Sequence, residues 1–179
     1  MFLIRVMVSI FEFLLAVVMS GTVIYVTYRV FIRANPDFDM EDEIKKGNIA
    51  TGLLVGTILV CASVFLHKGM ETVAGMFRLY MTAPDSAPLA LWQMVLLGFG
   101  HLALAMFLAV VTISVTLRLF GRFTRRMQEG KELQKGNVAV GILLSSVVIV
   151  ATLYVSDGVG ALSKALVPQP SIGRIQVLK

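Results

Sequence analysis

Two ionisable groups fall where lipid chains would surround them. Glu12 interrupts the apolar run 6–28 and His101 the run 91–117, and the two positions are 89 residues apart. Ionisable groups are costly in hydrocarbon, so they mark a proton relay, a cation site, or a position close enough to the boundary to reach water. Two such groups alone make too small a set for a metal centre. A second set is small and polar: Asn48, Gly52 and Gly56, then Asn137, Gly141 and Ser145, each spaced i, i+4, i+8 on one helix face. Small residues at that spacing let two helix backbones approach closely, and an asparagine there seeks a hydrogen bond across the contact. Helix packing, within the chain or between protomers, is the plainer chemistry; lining a path that opens at the cytoplasmic side is the other. A third set is charged. Glu43 with Lys46, and Glu132 with Lys135, can pair along a helix surface. Such a duplicated pair is by default a helix start beside the head groups; with Arg125 and Arg126 it would otherwise form a cytoplasmic mouth or docking surface.

These sets recur because the chain repeats itself. Residues 43–54 carry Glu, Lys, Gly, Asn, Ala, Gly and Leu where residues 132–143 carry the same types, again 89 positions on. The register extends upstream, where Ile24, Val26, Thr27, Arg29, Phe31 and Arg33 match Ile113, Val115, Thr116, Arg118, Phe120 and Arg122. The unit is an apolar span, a charged loop, Gly-Asn-x-Ala-x-Gly, and a second apolar span. Two spans per unit send both copies into the bilayer in the same direction, which predicts a pseudo-twofold axis along the membrane normal rather than inverted repeats.

The composition, 57% apolar and 15% charged, is that of a membrane protein. Crossing about 30 Å of hydrocarbon takes roughly 20 residues, and four stretches qualify. The expected fold is an all-α integral membrane protein with four transmembrane helices. Repeat 1 covers 1–80, with spans at 6–31 and 45–66 and an interfacial helix at 69–81. A linker follows at 81–91. Repeat 2 covers 92–167, with spans at 92–119 and 134–156 and an interfacial helix at 157–167, and a tail occupies 168–179. The interfacial helix at 69–81 is read from Met70, Val73, Phe77 and Tyr80 sharing one face. Asn35-Pro36 starts a turn, and Asp37 or Asp39 is placed to cap the next helix.

The net charge of +5 does not describe a nucleic-acid surface, because ten of the sixteen Lys and Arg residues gather in loops 29–46 and 118–135 beside apolar spans. That distribution reports topology: both loops cytoplasmic, both termini periplasmic. Cys61 lies inside a span and can form no internal disulfide. The first 20 residues carry Glu12 in their apolar core and no small-residue cleavage site, so they read as a retained helix. There is no nucleophile elbow, phosphate-binding loop, dinucleotide turn or metal cluster, so neither an enzyme nor a cofactor is expected.

The doubled Glu-x-x-x-Gly-Asn-x-Ala-x-Gly on a basic four-span chain resembles the family called domain of unknown function 350, the YjfL-like inner-membrane proteins of bacteria. The resemblance implies a multi-pass inner-membrane location and two-span tandem repeats, with no activity to carry over. Members occur beside phage-shock-type envelope-stress proteins and ATP-grasp ligases, which implies a membrane component of a larger system. The expected function is therefore an oligomeric membrane component that anchors or recruits a cytoplasmic or membrane protein partner. The alternative is a small channel or transporter for protons, cations or small metabolites, lined by Asn48, Asn137, Glu12 and His101.

Overall fold

A computed structural model describes residues 2–32, 39–82 and 90–166. The described residues form helices and turns with no strand. Helix α1 (Phe2–Thr27) widens into a π-helical turn at Tyr28–Ile32, and α2 (Met40–Lys45) is a short helix that precedes α3 (Ile49–Thr82). The pattern then recurs as a long α4 (Leu91–Phe123), a short α5 (Glu129–Gln134) and a long α6 (Val138–Ala165). Four of these helical segments, 31, 34, 33 and 25 residues long, are long and apolar enough to cross a membrane. At about 1.5 Å per residue even the shortest exceeds the hydrocarbon thickness.

Contacts fix the directions of the four. Tyr28 Oη donates to Glu41 Oε2 at 2.5 Å, and at the opposite end of the bundle Phe11 stacks on Phe77 with ring centroids 4.0 Å apart, so α1 and α3 are antiparallel. Val73 lies against Gly98, and Gly69 against Ala105, so α3 and α4 are antiparallel as well. The α3–α6 pair is parallel: Ala50 meets Gly141 near the short helices, and Lys68 Nζ meets Asp157 Oδ1 at 3.4 Å toward the other end. Both short helices therefore occupy one end of the bundle, called here the loop end.

Helix α3 is the centre. Half of its most apolar window is buried, against about a tenth for α1, and it packs on α1, α4 and α6. Glycines set two of its closest approaches. A Cβ added at Gly141 would lie 2.9 Å from the Cα and carbonyl oxygen of Ala50, and one at Gly69 would lie 2.8 Å from the Ala105 Cβ. Ala50, Leu54, Ile58, Phe65 and Leu66 form the buried face of α3.

Two expected boundaries differ. Residues 69–81 are not a separate interfacial helix but the final turns of α3, which runs unbroken from Ile49 to Thr82. No proline interrupts the chain there before Pro84. The apolar face expected at the membrane surface is instead packed inside the bundle, with Val73 against Gly98 of α4 and Phe77 stacked on Phe11 of α1. Likewise 157–165 continues α6. In the opposite sense, the second span does not begin at residue 45: α2 ends at Lys45 and α3 starts afresh at Ile49. Asp39, not Asp37, caps α2, its Oδ1 accepting from the Asp42 N–H at 3.0 Å, while Asp37 lies outside the described residues, as do linker positions 83–89 and the tail 168–179.

Candidate functional site

The repeated Glu-x-x-Lys-Gly-Asn builds a helix–turn–helix corner in which each of the four residue types has a task. Gly47 has φ +82°, a left-handed conformation that glycine adopts without the steric cost of a Cβ. It closes α2 with paired bonds, Gly47 N–H to the Ile44 carbonyl at 2.9 Å and Asn48 N–H to the Glu43 carbonyl at 3.0 Å, the geometry that satisfies a helix's last carbonyls. Asn48 then begins α3, its Oδ1 accepting from the Thr51 N–H at 3.1 Å as an N-cap does. Its amide nitrogen reaches back to Glu43 Oε2 at 3.1 Å. The other carboxylate oxygen of Glu43 accepts from Lys46 Nζ at 2.9 Å.

The second corner is built alike. Gly136 has φ +79°, Gly136 N–H bonds the Leu133 carbonyl at 2.9 Å, and Asn137 N–H bonds the Glu132 carbonyl at 3.0 Å. The Asn137 amide donates to Glu132 Oε2 at 3.0 Å and Lys135 Nζ to Glu132 Oε1 at 2.8 Å. The bonds from Lys46 and then Asn48 hold the Glu43 carboxyl below its ordinary range, and those from Asn137 and then Lys135 do the same for Glu132. Lys46 is correspondingly raised by Glu43.

The corners meet through one residue. Asn48 Nδ2 also donates to the Leu133 carbonyl at 2.7 Å, a second bond to the α5 carbonyl that Gly136 N–H already pairs. Glu43 and Leu133 are both buried at this junction. Asn137 has no such reach: among the described residues its amide nitrogen donates only to its own Glu132.

The remaining sequence-predicted positions divide. Gly141 and Ser145 are buried in the bundle, whereas Gly56 is exposed and neither Gly52 nor Gly56 has any atom within 4 Å of an added Cβ. Arg125 and Arg126 are exposed in the turn between α4 and α5, a turn tied down by the Thr124 hydroxyl donating to Glu129. Glu12 and His101 have different settings. Arg78 Nη2 donates to Glu12 Oε1 at 2.8 Å, so the acid in α1 is neutralised by α3. His101 is buried on α4, its Nδ1 at 2.8 Å from the Leu97 carbonyl and its own carbonyl facing Gly69 of α3.

Sequence reasoning missed Arg78 as the partner of Glu12. The available signal was the neighbouring pair Phe77-Arg78, which meets Phe11-Glu12 residue for residue once α3 continues past Leu66. It also missed the burial of the Thr27, Thr51 and Thr152 hydroxyls; those of Thr27 and Thr51, like that of Ser145, have no hydrogen-bond partner among the described residues. No composition signal separates these from other span threonines and serines.

The helices and the charged, doubly cornered loop end define a helical membrane protein. A family model described as Domain of Unknown Function (DUF350) matches residues 5–159, and the chain belongs to that family. No curated protein and no solved structure matches it.

Proposed function

We propose that the protein is a membrane scaffold of the bacterial inner membrane that presents a rigid basic platform to an acidic cytoplasmic partner. It is built from two like-oriented helical hairpins, and its loop end faces the cytoplasm. The observation that carries this reading is where charge is consumed and where it is left. Glu43, Lys46, Glu132 and Lys135 close their own corners, so they brace the platform rather than offer it. Arg125 and Arg126 stay exposed between α4 and α5, with no ion pair among the described residues. A cation pair on a short, fixed turn favours acidic partners and steers their approach.

The same bonds weigh against a conducting path. Asn48 and Asn137, the polar groups assigned to its mouth, are both committed to caps, and Glu12 is ion-paired.

Crosslinking in native membranes followed by affinity capture tests the reading. The double variant Arg125→Glu/Arg126→Glu is expected to lose at least one cytoplasmic partner captured by the parent chain, at equal membrane abundance. An unchanged partner set would overturn it.

A further inference from the structure

The two hairpins of one chain meet in a one-sided way, and the sides left over are the same kind of surface. Positions 89 apart are equivalent in the sequence repeat, so each face of α3 has a counterpart on α6. In α3 the buried face runs through Ala50, Leu54 and Phe65; the equivalent residues of α6, Ala139, Leu143 and Tyr154, are exposed, with Phe65 at 0% and Tyr154 at 83%. In α6 the buried face runs through Gly141, Ser145 and Thr152, while its counterpart on α3 is exposed at Gly56 and Ser63 and half-buried at Gly52. The loop end follows the same rule. Leu133 is 3% exposed and accepts from Asn48, while its equivalent Ile44 is 39% exposed.

Helix contacts repeat the asymmetry: α3 packs on both helices of the second hairpin, but α1 forms no matching interface with α6. A pseudo-twofold pair would make both contacts. Here the expected twofold gives way to a head-to-tail relation, in which one face of a hairpin takes the other face of the next.

We infer that a second copy of this chain covers the free faces, with Ala139 of one copy seated on Gly52 of the next as Ala50 is seated on Gly141 within the chain. The Asn137 amide then reaches the Ile44 carbonyl of the neighbouring copy, as Asn48 reaches Leu133. A heterologous contact either closes into a ring or runs on indefinitely. Because α3 and α6 are parallel and every copy is held at one depth by the bilayer, the repeat has no rise along the membrane normal, and the copies follow one another in the membrane plane. Lipid tails are as apolar as leucine, so exposed apolar surface alone would not choose a protein neighbour. The choice comes from Gly52 and Gly56, which leave room for close backbone approach on a face whose counterpart already packs that way. The inference stands independently of the recruiting role.

Disulfide trapping in native membranes, in a Cys61→Ala background, tests it. Gly52→Cys/Ala139→Cys in one chain is expected to give a ladder of covalent multimers on oxidation, and the two single variants co-expressed are expected to give a covalent dimer. Either single variant alone should give no covalent species. A dimer from Gly52→Cys alone would mean a twofold contact and would overturn the head-to-tail arrangement. Absence of any product from the double variant would mean that lipid, not protein, covers the faces. A Cβ at Gly52 meets nothing within 4 Å in the isolated chain, so Gly52→Leu should keep its helical circular dichroism while its mass in mild detergent falls to that of one chain; an unchanged oligomer would also overturn the proposal.

Discussion

At Asn48 one side chain caps α3, holds the Glu43 carboxylate and bonds Leu133 of the other corner, whereas Asn137 performs only the first two tasks. Losing an N-cap costs about 1 kcal/mol, and losing the second hydrogen bond to the Leu133 carbonyl, which Gly136 N–H still pairs, adds roughly another 0.5–1.5 kcal/mol. Asn48→Ala is therefore expected to destabilise the chain more than Asn137→Ala, read as the shift in the unfolding midpoint in an SDS titration from mild micelles. Equal shifts would remove the inter-corner bond from the account. Acid gives a second reading of the same corner. Because bonding depresses the folded-state pKa of Glu43, its contribution is present above the ordinary carboxylate value and is lost as pH falls through the lower folded one. Glu43→Gln should flatten the loss of stability on the acid side. The Glu-x-x-Lys-Gly-Asn spacing made the local pairings legible. It could not reveal the bond to Leu133, which joins residues 85 apart.

Glycines of the same sequence class have opposite duties once the helices pack. A methyl group at Gly141 would be driven into the Ala50 backbone, while one at Gly52 would meet nothing in the chain. Overpacking of that kind costs typically about 1–3 kcal/mol, and replacing glycine by alanine inside an open helix gains about 0.5–1 kcal/mol. In a harsh micelle that holds single chains, Gly141→Ala is expected to lower the thermal midpoint and Gly52→Ala to raise it or leave it unchanged. A loss at Gly52 equal to that at Gly141 would contradict the packing of α3 on α6. The four spans were legible because the stretches that cross a bilayer are long and nearly free of charge. The fate of 69–81 was not. An apolar stripe has the same period whether a helix lies flat on a membrane or stands against a neighbour, and only Val73 against Gly98 of α4 decides between them.

Across the whole molecule the charges sort by end, and the sorting depends on pairs that form only in the folded bundle. Arg78 is matched by Glu12 and Lys68 by Asp157, so two of the cations toward the far end carry their own counter-charge. Toward the loop end, Arg118, Arg122, Arg125 and Arg126 follow one another on the last turns of α4 and the exposed turn beyond it, with no ion pair among the described residues. Orientation follows an excess of Lys and Arg flanking the spans on the cytoplasmic side, and these arginines add to the paired Lys45, Lys46 and Lys135 at the same end. On the proposed inner-membrane topology, a cysteine placed at Lys45 or Arg126 in a Cys61→Ala background is therefore expected to react with a membrane-impermeant maleimide only after the inner membrane is permeabilised. One placed at Leu166, at the far end of α6, should react when only the outer membrane has been opened. Because both corners sit at one end of a bundle whose α3 and α6 run parallel, Lys45 and Arg126 must change accessibility together. A split between them would break the like-oriented hairpins, and a joint reversal would turn the platform away from any cytoplasmic partner.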